Sequence, residues 1–140
     1  MKLIPKIIEG NSHTDERGTL HFNNDFNALG IKRIYTIQNK VTEFVRGWQG
    51  HGIEQRWFSA VQGTFIIKLI CIDNWENPSN DLESLVFELN SKKMDVLHVP
   101  NGYVSSIQSL EEGSKLLVMS DYLLGEVQDE YRFDINYFTK

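Results

Sequence analysis

The sequence predicts an all-β fold, and three features of the chain lead to that prediction. Short apolar and β-branched runs recur along the chain and are separated by turn residues, as in a β-sandwich or barrel. No segment combines a long apolar repeat of helical period with capping residues. Residues 65–72 are apolar on both alternating faces except at Lys68. Such a strand must be covered on two sides, inside a double-layered sheet or at a subunit interface.

The predicted strands follow the apolar runs in chain order. They cover residues 2–8, 19–22, 31–38, 55–61, 64–72, 84–89, 96–99, 103–108 and 115–121. Gly, Asn, Asp, Ser and Pro are frequent between these runs, because they adopt or fix turn conformations. The pair Gln62-Gly63 predicts the tip of a tight hairpin, and the residues around Pro78 predict a longer surface loop. Residues 39–46 or 122–130 have room for a single helical turn.

Length and composition are typical of one soluble domain that spans residues 1–140. Hydrophobic residues make up 41% of the chain and charged residues 24%, which excludes a disordered class. The 19 acidic and 14 basic residues give a formal net charge of -5. Because no basic patch is present to neutralise a phosphate backbone, we expect no nucleic-acid partner.

The sequence also argues against membrane insertion and secretion. No apolar run approaches the length of a spanning helix, and the N-terminal residues lack the apolar core and cleavage site of a signal peptide. The single cysteine, Cys71, excludes an internal disulfide and a cysteine-rich metal site. We therefore expect a cytoplasmic protein with no membrane partner.

The densest group of polar and aromatic residues lies between residues 46 and 58. If this segment is one unbroken strand, alternation of side chains places on one face Gln49, His51, Gln55 and Trp57. The glycines between them leave space for a closely approaching backbone or ligand. On an earlier strand, Arg33 and Tyr35 share a face. A histidine that exchanges protons near pH 7, a phenol, arginines and flat aromatic surface together predict a binding or catalytic site.

Motifs along nearly the whole chain resemble those of one known family. In chain order they are Asp15-Glu16-Arg17-Gly18, Arg33-x-Tyr35, Arg46-Gly47-x-x-x-His51, Gly63, Pro100-x-Gly102, Ser120-Asp121-Tyr122 and Asp129-Glu130-Tyr131-Arg132. They resemble the RmlC-like cupins, and within that group the dTDP-4-keto-6-deoxyhexose 3,4-ketoisomerases. The dTDP-4-dehydrorhamnose 3,5-epimerases are more distant relatives. The resemblance implies a cupin double-stranded β-helix (jelly roll), usually a homodimer whose N-terminal strands pack against the partner.

The resemblance also implies a metal-free isomerase or epimerase that needs no cofactor. Its substrate would be a nucleotide-linked 4-keto-6-deoxy sugar, with dTDP as the expected nucleotide, on the way to a surface polysaccharide. Proton removal next to a ketone needs a base and donors to the developing oxyanion. His51 is the candidate base, Tyr35 or Tyr103 the candidate proton donor, and Gln49 a hydrogen-bond partner of a sugar oxygen.

The candidate substrate-binding residues belong to several motifs. Planar guanidinium groups bind phosphate oxygens two at a time, and an aromatic ring stacks on a nucleotide base. We therefore predict Arg17, Arg33 and Arg46 as ligands of the diphosphate and Trp57 as a stacking surface. Two further residues, Gln55 and Ser105, complete the predicted binding set.

Many cupins bind a metal through three histidines and a glutamate. When the first motif is anchored on Gly63, the ligand positions fall on Gln49, His51, Arg56 and Ser105. Only His51 matches, and a guanidinium repels a cation, so no metal is expected. The related ketoisomerases carry R-G-x-H-A-H-K, where this chain has Gln49 and Gly52. In the epimerases the base occupies the position of Gln49, and a neutral amide cannot accept a proton.

Three functional hypotheses are consistent with these residues. The first is the metal-free sugar-nucleotide isomerase or epimerase. The second is a non-catalytic cupin that binds a sugar nucleotide or a glycan, in which Gln49 marks the loss of chemistry. The third is a small dimeric packing module of a larger biosynthetic enzyme. Replacing His51 would abolish turnover in the first case and leave ligand binding intact in the second.

Overall fold

Twelve β-strands and no helix form the secondary structure of residues 3–139, the part of the chain that this computed structural model describes. The strands are β1 (Lys6–Ile8), β2 (Asn11–Asp15), β3 (Gly18–Phe22), β4 (Arg33–Ile37), β5 (Val45–His51), β6 (Arg56–Gln62), β7 (Thr64–Cys71), β8 (Ser84–Asn90), β9 (Val96–Val99), β10 (Tyr103–Ser109), β11 (Lys115–Ser120) and β12 (Glu130–Arg132). The all-β prediction is confirmed. No helix long and apolar enough to cross a membrane occurs among these residues.

Two five-stranded antiparallel sheets contain ten of the strands. The first sheet has the order β1-β9-β6-β11-β4, and the second has the order β12-β5-β10-β7-β8. The chain changes sheet between β5 and β6 and again between β6 and β7, which is the winding expected of a jelly roll. The strands β2 and β3 pair only with each other, as a separate hairpin.

The main core lies between the two sheets, and a smaller one lies behind the second sheet. The strand β7 explains why both exist. Its residues Phe65, Ile67 and Leu69 belong to the main core, whereas Ile70 belongs to the smaller core together with Phe138 near the C-terminus. The two-sided cover predicted for this strand is therefore provided by the opposite sheet and by the C-terminal segment.

The segment between residues 46 and 58 is two strands rather than one. The strand β5 ends at His51 in the second sheet, and β6 begins at Arg56 in the first. The face that Gln49 shares with His51 therefore does not continue to Trp57. The close approach predicted from the glycines is present, because a Cβ atom at Gly50 would lie 2.2 Å from the backbone oxygen of Tyr103 on β10.

Other local predictions differ from the structure at the sheet junctions. The turn at Gln62-Gly63 is present, with Gly63 at a φ of 74°, but it joins strands of opposite sheets, so it is not a hairpin. Residues 39–46 and 122–130 contain turns and strand ends, so the predicted helical turn is wrong. Lys2, the first residue of the predicted strand 2–8, lies outside the described residues. The strands β2 and β12 occupy segments where no strand was predicted, and β5 lies in a segment that was considered a strand only conditionally.

Candidate active site

A cavity opens between the two sheets at the end where β5 passes to β6. Its volume is about 540 Å³, part of it open to solvent. Six of the predicted site residues line it: Tyr35, Arg46, Gln49, His51, Tyr103 and Ser105. These residues come from β4, β5 and β10, so both sheets contribute side chains to the cavity.

His51 lies at the last position of β5 and is only 8% exposed. Its Nδ1 atom is 3.2 Å from Asp129 Oδ1, and its Nε2 atom is 3.0 Å from Arg56 Nη2. A guanidinium only donates hydrogen bonds, so Nε2 must be the acceptor in this contact. The proton of the neutral ring therefore resides on Nδ1 and is donated to Asp129. These two contacts fix both the tautomer and the orientation of the imidazole.

Asp129 is held in place by the backbone as well as by His51. Its Oδ2 atom accepts hydrogen bonds from the N–H groups of Ile53 and Glu54, each at 2.7 Å. Burial alone would raise the pKa of Asp129, but these backbone bonds, Glu54 and the bond from His51 outweigh it and lower the pKa. The carboxylate therefore stays ionised. Its hydrogen bonds connect the C-terminal segment to the turn that follows β5.

Arg56, the first residue of β6, is buried beside His51. Its Nη1 atom donates to Glu54 Oε1 at 2.9 Å and to Ser120 Oγ at 2.8 Å, and Ser120 in turn donates to Glu54 at 3.0 Å. Every charge in this group has a hydrogen-bonded partner, which is the condition under which charged side chains remain stable in an interior.

The surroundings of His51 make its neutral form the favoured one. Burial lowers the pKa of His51, and the positive charge of Arg56 lowers it further, while Asp129 and Glu54 act in the opposite direction with a smaller effect. The net result is a pKa below the ordinary value of 6.5. At neutral pH the ring therefore carries no charge, which is the state required of a general base.

Tyr103, Gln49 and Tyr35 surround the base from three strands. Tyr103 pairs with His51 across β10 and β5 and is buried. The Gln49 amide donates to Glu130 Oε1 at 2.8 Å. The Tyr35 ring lies under the Arg33 guanidinium, with 4.8 Å between the guanidinium carbon and the ring centroid. Arg33 and Tyr35 therefore do share a face of β4, as the sequence predicted.

The predicted arginines lie in three different places. Arg46 lines the cavity and donates to Asn39 Oδ1 at 3.3 Å. Arg33 lines a second cavity that shares His51 with the first and is formed with residues between 124 and 131. Arg17 lies on the β2–β3 hairpin beside Asp15, with 2.7 Å between Nη2 and Oδ2, and contributes to neither cavity. The structure thus brings two of the three predicted diphosphate ligands to the site.

Gln55 and Trp57 lie away from the cavity. Trp57 stacks on His98, with ring centroids 4.8 Å apart, on the side of the first sheet that faces away from the main core. Gln55 bonds to the same histidine, with 2.7 Å between Oε1 and Nε2, and to Asp121. Neither residue lies on the face that carries Gln49 and His51, because the chain changes sheet after His51. Their predicted contacts with substrate stay untested.

Sequence reasoning missed three residues that surround His51: Glu54, Arg56 and Asp129. Arg56 was considered only as a cation at a metal-ligand position, and Asp129 only as part of a C-terminal motif. Asp129 is 78 positions from His51 in the chain, so no local spacing relates the two. The available signal was chemical, since a buried histidine and a buried arginine both require acceptors.

His51, Glu54 and Asp129 each offer a ligand atom within 4.8 Å of the others, a spacing at which three side chains can hold a metal ion. The Arg56 guanidinium already contacts two of these three residues. One Asp129 oxygen is taken by two backbone N–H groups. A fixed positive charge among the donors opposes a second cation. The residues therefore do not fit a divalent metal.

A comparison with protein-family models identifies the relatives of this chain. Residues 4–140 match the family described as FdtA, WxcM-like, C-terminal. The chain belongs to this family. No curated protein matches the sequence.

Solved structures with the same fold include two 3,4-ketoisomerases. One is a histidine-to-asparagine variant of QdtA from Thermoanaerobacterium thermosaccharolyticum in complex with TDP-4-keto-6-deoxyglucose. It has 23% identity, covers 99% of this chain and 94% of that one, and has a TM-score of 0.73. The other is from Helicobacter canadensis, with 23% identity, coverage of 96% and 94%, and a TM-score of 0.69.

A third solved structure extends the similarity to the epimerases. The dTDP-4-dehydrorhamnose 3,5-epimerase from Bacillus anthracis, with TDP and pyrophosphate bound, has 15% identity, coverage of 94% of this chain and 79% of that one, and a TM-score of 0.73. At these identities the similarity establishes the fold, and the predicted cupin jelly roll is confirmed.

Proposed function

We propose that this protein is a sugar-nucleotide isomerase or epimerase that works without a metal. Its substrate would be a nucleotide-linked 4-keto-6-deoxy sugar, and the reaction would begin by removal of a proton next to the ketone. The observation that carries this proposal is the His51–Asp129 pair, 3.2 Å apart and buried at the wall of a cavity. The family to which the chain belongs and the names of the solved relatives support the same class of substrate.

The proposed chemistry follows from the orientation of the His51 ring. The proton on the carbon beside the ketone passes to Nε2, the electron pair of the broken C–H bond forms a C=C bond, and the ketone oxygen becomes an enediolate oxygen. Asp129 accepts the Nδ1 proton in a hydrogen bond and so stabilises the imidazolium that results. A histidine held in this way supplies a base without further rearrangement of its ring.

The second half of the reaction decides between the two outcomes. A proton delivered to the former carbonyl carbon, with loss of the neighbouring hydroxyl proton, yields the isomeric ketone. A proton returned to the original carbon from the opposite face yields the epimer. Tyr103 or Tyr35 is the proposed donor, because both line the cavity beside His51. Gln49 is proposed to bind a sugar oxygen, and Ser105 lies next to it.

The nucleotide is proposed to bind at the mouth of the cavity. Arg46 lines one of the two cavities that share His51 and Arg33 lines the other, and both are proposed to bind the diphosphate. Arg17 is proposed to bind the diphosphate in the site of a second copy of the chain. We propose a homodimer, because the β2–β3 hairpin pairs with no other described strand and exposes Leu20. A hairpin of this kind is only marginally stable in isolation.

A direct test is to incubate the protein with TDP-4-keto-6-deoxyglucose and to separate the sugar nucleotides afterwards. The proposal predicts a new keto-sugar nucleotide of the same mass, and none from TDP-glucose, which lacks the ketone. Unchanged substrate in the presence of measurable binding would contradict an isomerase or epimerase acting on this sugar.

Non-catalytic binding is the second candidate, and one observation favours it. The Nε2 atom of His51 already accepts a hydrogen bond from Arg56, and Gln49 cannot serve as a base. A sugar-nucleotide binder would keep its affinity when His51 is replaced by asparagine. An enzyme would lose turnover in the same variant, so one substitution separates the two candidates.

A further inference from the structure

Both ring nitrogens of His51 are engaged in hydrogen bonds. Nδ1 donates to Asp129, and Nε2 accepts from Arg56 at 3.0 Å. A proton on Nε2 would face an N–H of the guanidinium at hydrogen-bond distance, and two donors cannot share one hydrogen bond. His51 can therefore accept a proton from any substrate only after the guanidinium has left Nε2.

The contacts of Arg56 differ between the two ends of its guanidinium. The Nη1 end is anchored by Glu54 at 2.9 Å, by Ser120 at 2.8 Å and by the backbone oxygen of Gln55 at 3.3 Å. The Nη2 end contacts His51 at 3.0 Å. The side chain can thus change its partner at Nη2 while Nη1 keeps the contacts that satisfy its charge.

The position of Arg56 makes such an exchange possible with a ligand. Arg56 lines both the cavity between the two sheets and the second cavity near residues 124–131, together with His51 and Glu54. A ketone oxygen lies one bond from its carbonyl carbon and two from the neighbouring carbon that carries the acidic proton. A sugar whose C–H faces Nε2 therefore brings its ketone oxygen close to Nη2, since reacting atoms approach to about 3–3.5 Å.

We propose that Arg56 is a further catalytic residue that masks His51 in the ligand-free protein and passes to the ketone oxygen of the substrate. This inference rests on the proposed function. The exchange frees the Nε2 lone pair, and it polarises the ketone on which negative charge develops. The proton then moves from carbon to Nε2, the electron pair of the C–H bond forms the C=C bond, and the π pair of the C=O bond moves onto the oxygen that Nη2 has bound.

The exchange makes the base dependent on the correct ligand. A nucleoside diphosphate such as TDP binds the cavity mouth but places no sugar oxygen against Nη2, so His51 stays masked. A sugar nucleotide that places a ketone in the cavity binds Nη2 of Arg56 and thereby frees Nε2 of His51, which then lies beside the acidic C–H group. The exchange thus distinguishes a bare nucleotide from a keto-sugar nucleotide. A hydroxyl oxygen can accept the same hydrogen bond, but a sugar without the ketone has no acidic C–H for His51 to deprotonate.

The charged and titratable groups around His51 come from every neighbouring element. They are Arg56 of β6, Glu54 of the preceding turn, Asp129, Glu130 and Tyr131 of the C-terminal segment, Tyr103 of β10, Arg33 and Tyr35 of β4, and Arg46 of β5. Of these, Arg56 is the group whose hydrogen bond reaches Nε2. Its contribution can therefore be separated from that of the others by substitution.

The test uses nitrogen NMR of the full-length protein with labelled histidine. The ligand-free wild type is compared with the complexes of TDP and of TDP-4-keto-6-deoxyglucose. We expect Nε2 to report a hydrogen-bond acceptor in the free protein and with TDP, and to change only with the keto-sugar nucleotide. Since both substrate and isomeric product carry a ketone, turnover during the measurement does not remove the effect.

Substitutions provide the second part of the test. In Arg56→Gln we expect His51 to titrate at higher pH, while exchange of the substrate proton with solvent falls by about 10²-fold to 10³-fold, as when an oxyanion donor is lost. The double variant Arg56→Gln/Glu54→Gln keeps the charge balance if the single variant folds poorly. Arg132→Gln is the matched control, because Arg132 is exposed and pairs with Glu130 at 2.9 Å.

Each outcome has one meaning for Arg56. An Nε2 signal that is the same in wild type and Arg56→Gln overturns the proposal, and so does an Nε2 change with TDP alone. If the substrate proton exchanges with solvent as fast in Arg56→Gln as in the wild type, the proposed role of Arg56 is overturned, while the proposed function remains intact. If the keto-sugar nucleotide neither binds nor exchanges a proton, the proposed function fails. The proposed release of Arg56 from His51 by the ketone then fails as well, even if the Arg56–His51 hydrogen bond is observed in the ligand-free protein.

Discussion

The β2–β3 hairpin and the cavity around His51 each bring together a histidine, an aspartate and an arginine. On the hairpin, Asp15 lies 2.7 Å from Arg17 and 3.9 Å from His13, and the histidine and the arginine are exposed to solvent. The Arg17 side chain lowers the pKa of Asp15 through a hydrogen bond. Water competes for all three groups, so this is a surface ion pair of small energetic weight.

In the cavity, similar distances have different consequences. His51 lies 3.2 Å from Asp129 and 3.0 Å from Arg56, and none of the three is more than 8% exposed. With little access to bulk water, each donor needs a defined acceptor, which fixes the tautomer of the imidazole and the place of each proton. Burial, rather than the residue types, therefore converts this combination into a site able to move a proton.

Replacing the two histidines should give the largest contrast between the regions. We expect His51→Asn to reduce the proton-exchange rate by about 10²-fold to 10⁴-fold, the usual contribution of a general base. TDP affinity should be retained, as measured by calorimetry. His13→Asn is the matched control and should leave the rate unchanged. Equal rates in the two variants would remove His51 from the mechanism.

The two aspartates should differ in stability as well as in activity. Asp129→Asn loses charge-assisted hydrogen bonds to two backbone N–H groups and to His51, which should lower the free energy of unfolding by about 2 kcal/mol. Asp15→Asn should leave it unchanged, because Asp15 is bonded only to exposed groups of the hairpin. Urea denaturation measures both. A wild-type value for Asp129→Asn would show that the C-terminal segment is held by other contacts.

A smaller effect should appear in the pH dependence of stability. The pKa of His51 is lowered in the folded protein from its ordinary value of 6.5, so the unfolded chain binds its proton first as the pH falls. His51 therefore contributes stability above pH 6.5 that is lost as the pH drops through the folded pKa. Urea titrations at pH 7.5 and 5.5 should show this loss in the wild type and less of it in His51→Gln. An equal loss in His51→Gln would assign it to other groups.

The smallest effect on chemistry is expected at the hairpin. If the hairpin packs against a second copy, Leu20→Glu should shift the mass measured by light scattering from dimer to monomer. Leu110→Glu is the matched control, since Leu110 is also exposed but lies directly after β10, away from the hairpin strands in the sequence. A dimer that survives Leu20→Glu would place the contact elsewhere, and a monomeric wild type would contradict the proposed homodimer.

The sequence was sufficient for the fold class and for much of the cavity lining. Strand alternation and turn residues are local signals, so most strands were predicted within a few residues of their observed ends. The family motifs then led to His51 and Gln49, and the need for a proton donor led to Tyr103; all three lie around one cavity. These residues sit on β5 and β10, which are neighbours in the sheet.

What the sequence could not supply was the crossing between sheets and the contacts it creates. The chain leaves the second sheet at His51 and enters the first at Arg56, and no local pattern distinguishes this from one continuous strand. Because of this crossing, Trp57 stacks on His98 away from the cavity, and Arg56 contacts the His51 ring. Asp129 reaches His51 from a distant segment, so that contact depends on the tertiary fold alone.

The most direct test of the central claim is proton NMR of TDP-4-keto-6-deoxyglucose with the wild-type protein in heavy water. The account predicts that the signal of a proton on a carbon flanking the ketone disappears faster than in a protein-free sample, and that the exchange continues below pH 6.5, because the pKa of His51 is lowered. A spectrum in which the sugar signals broaden through binding, with no loss of that proton, would contradict a proton-abstracting site.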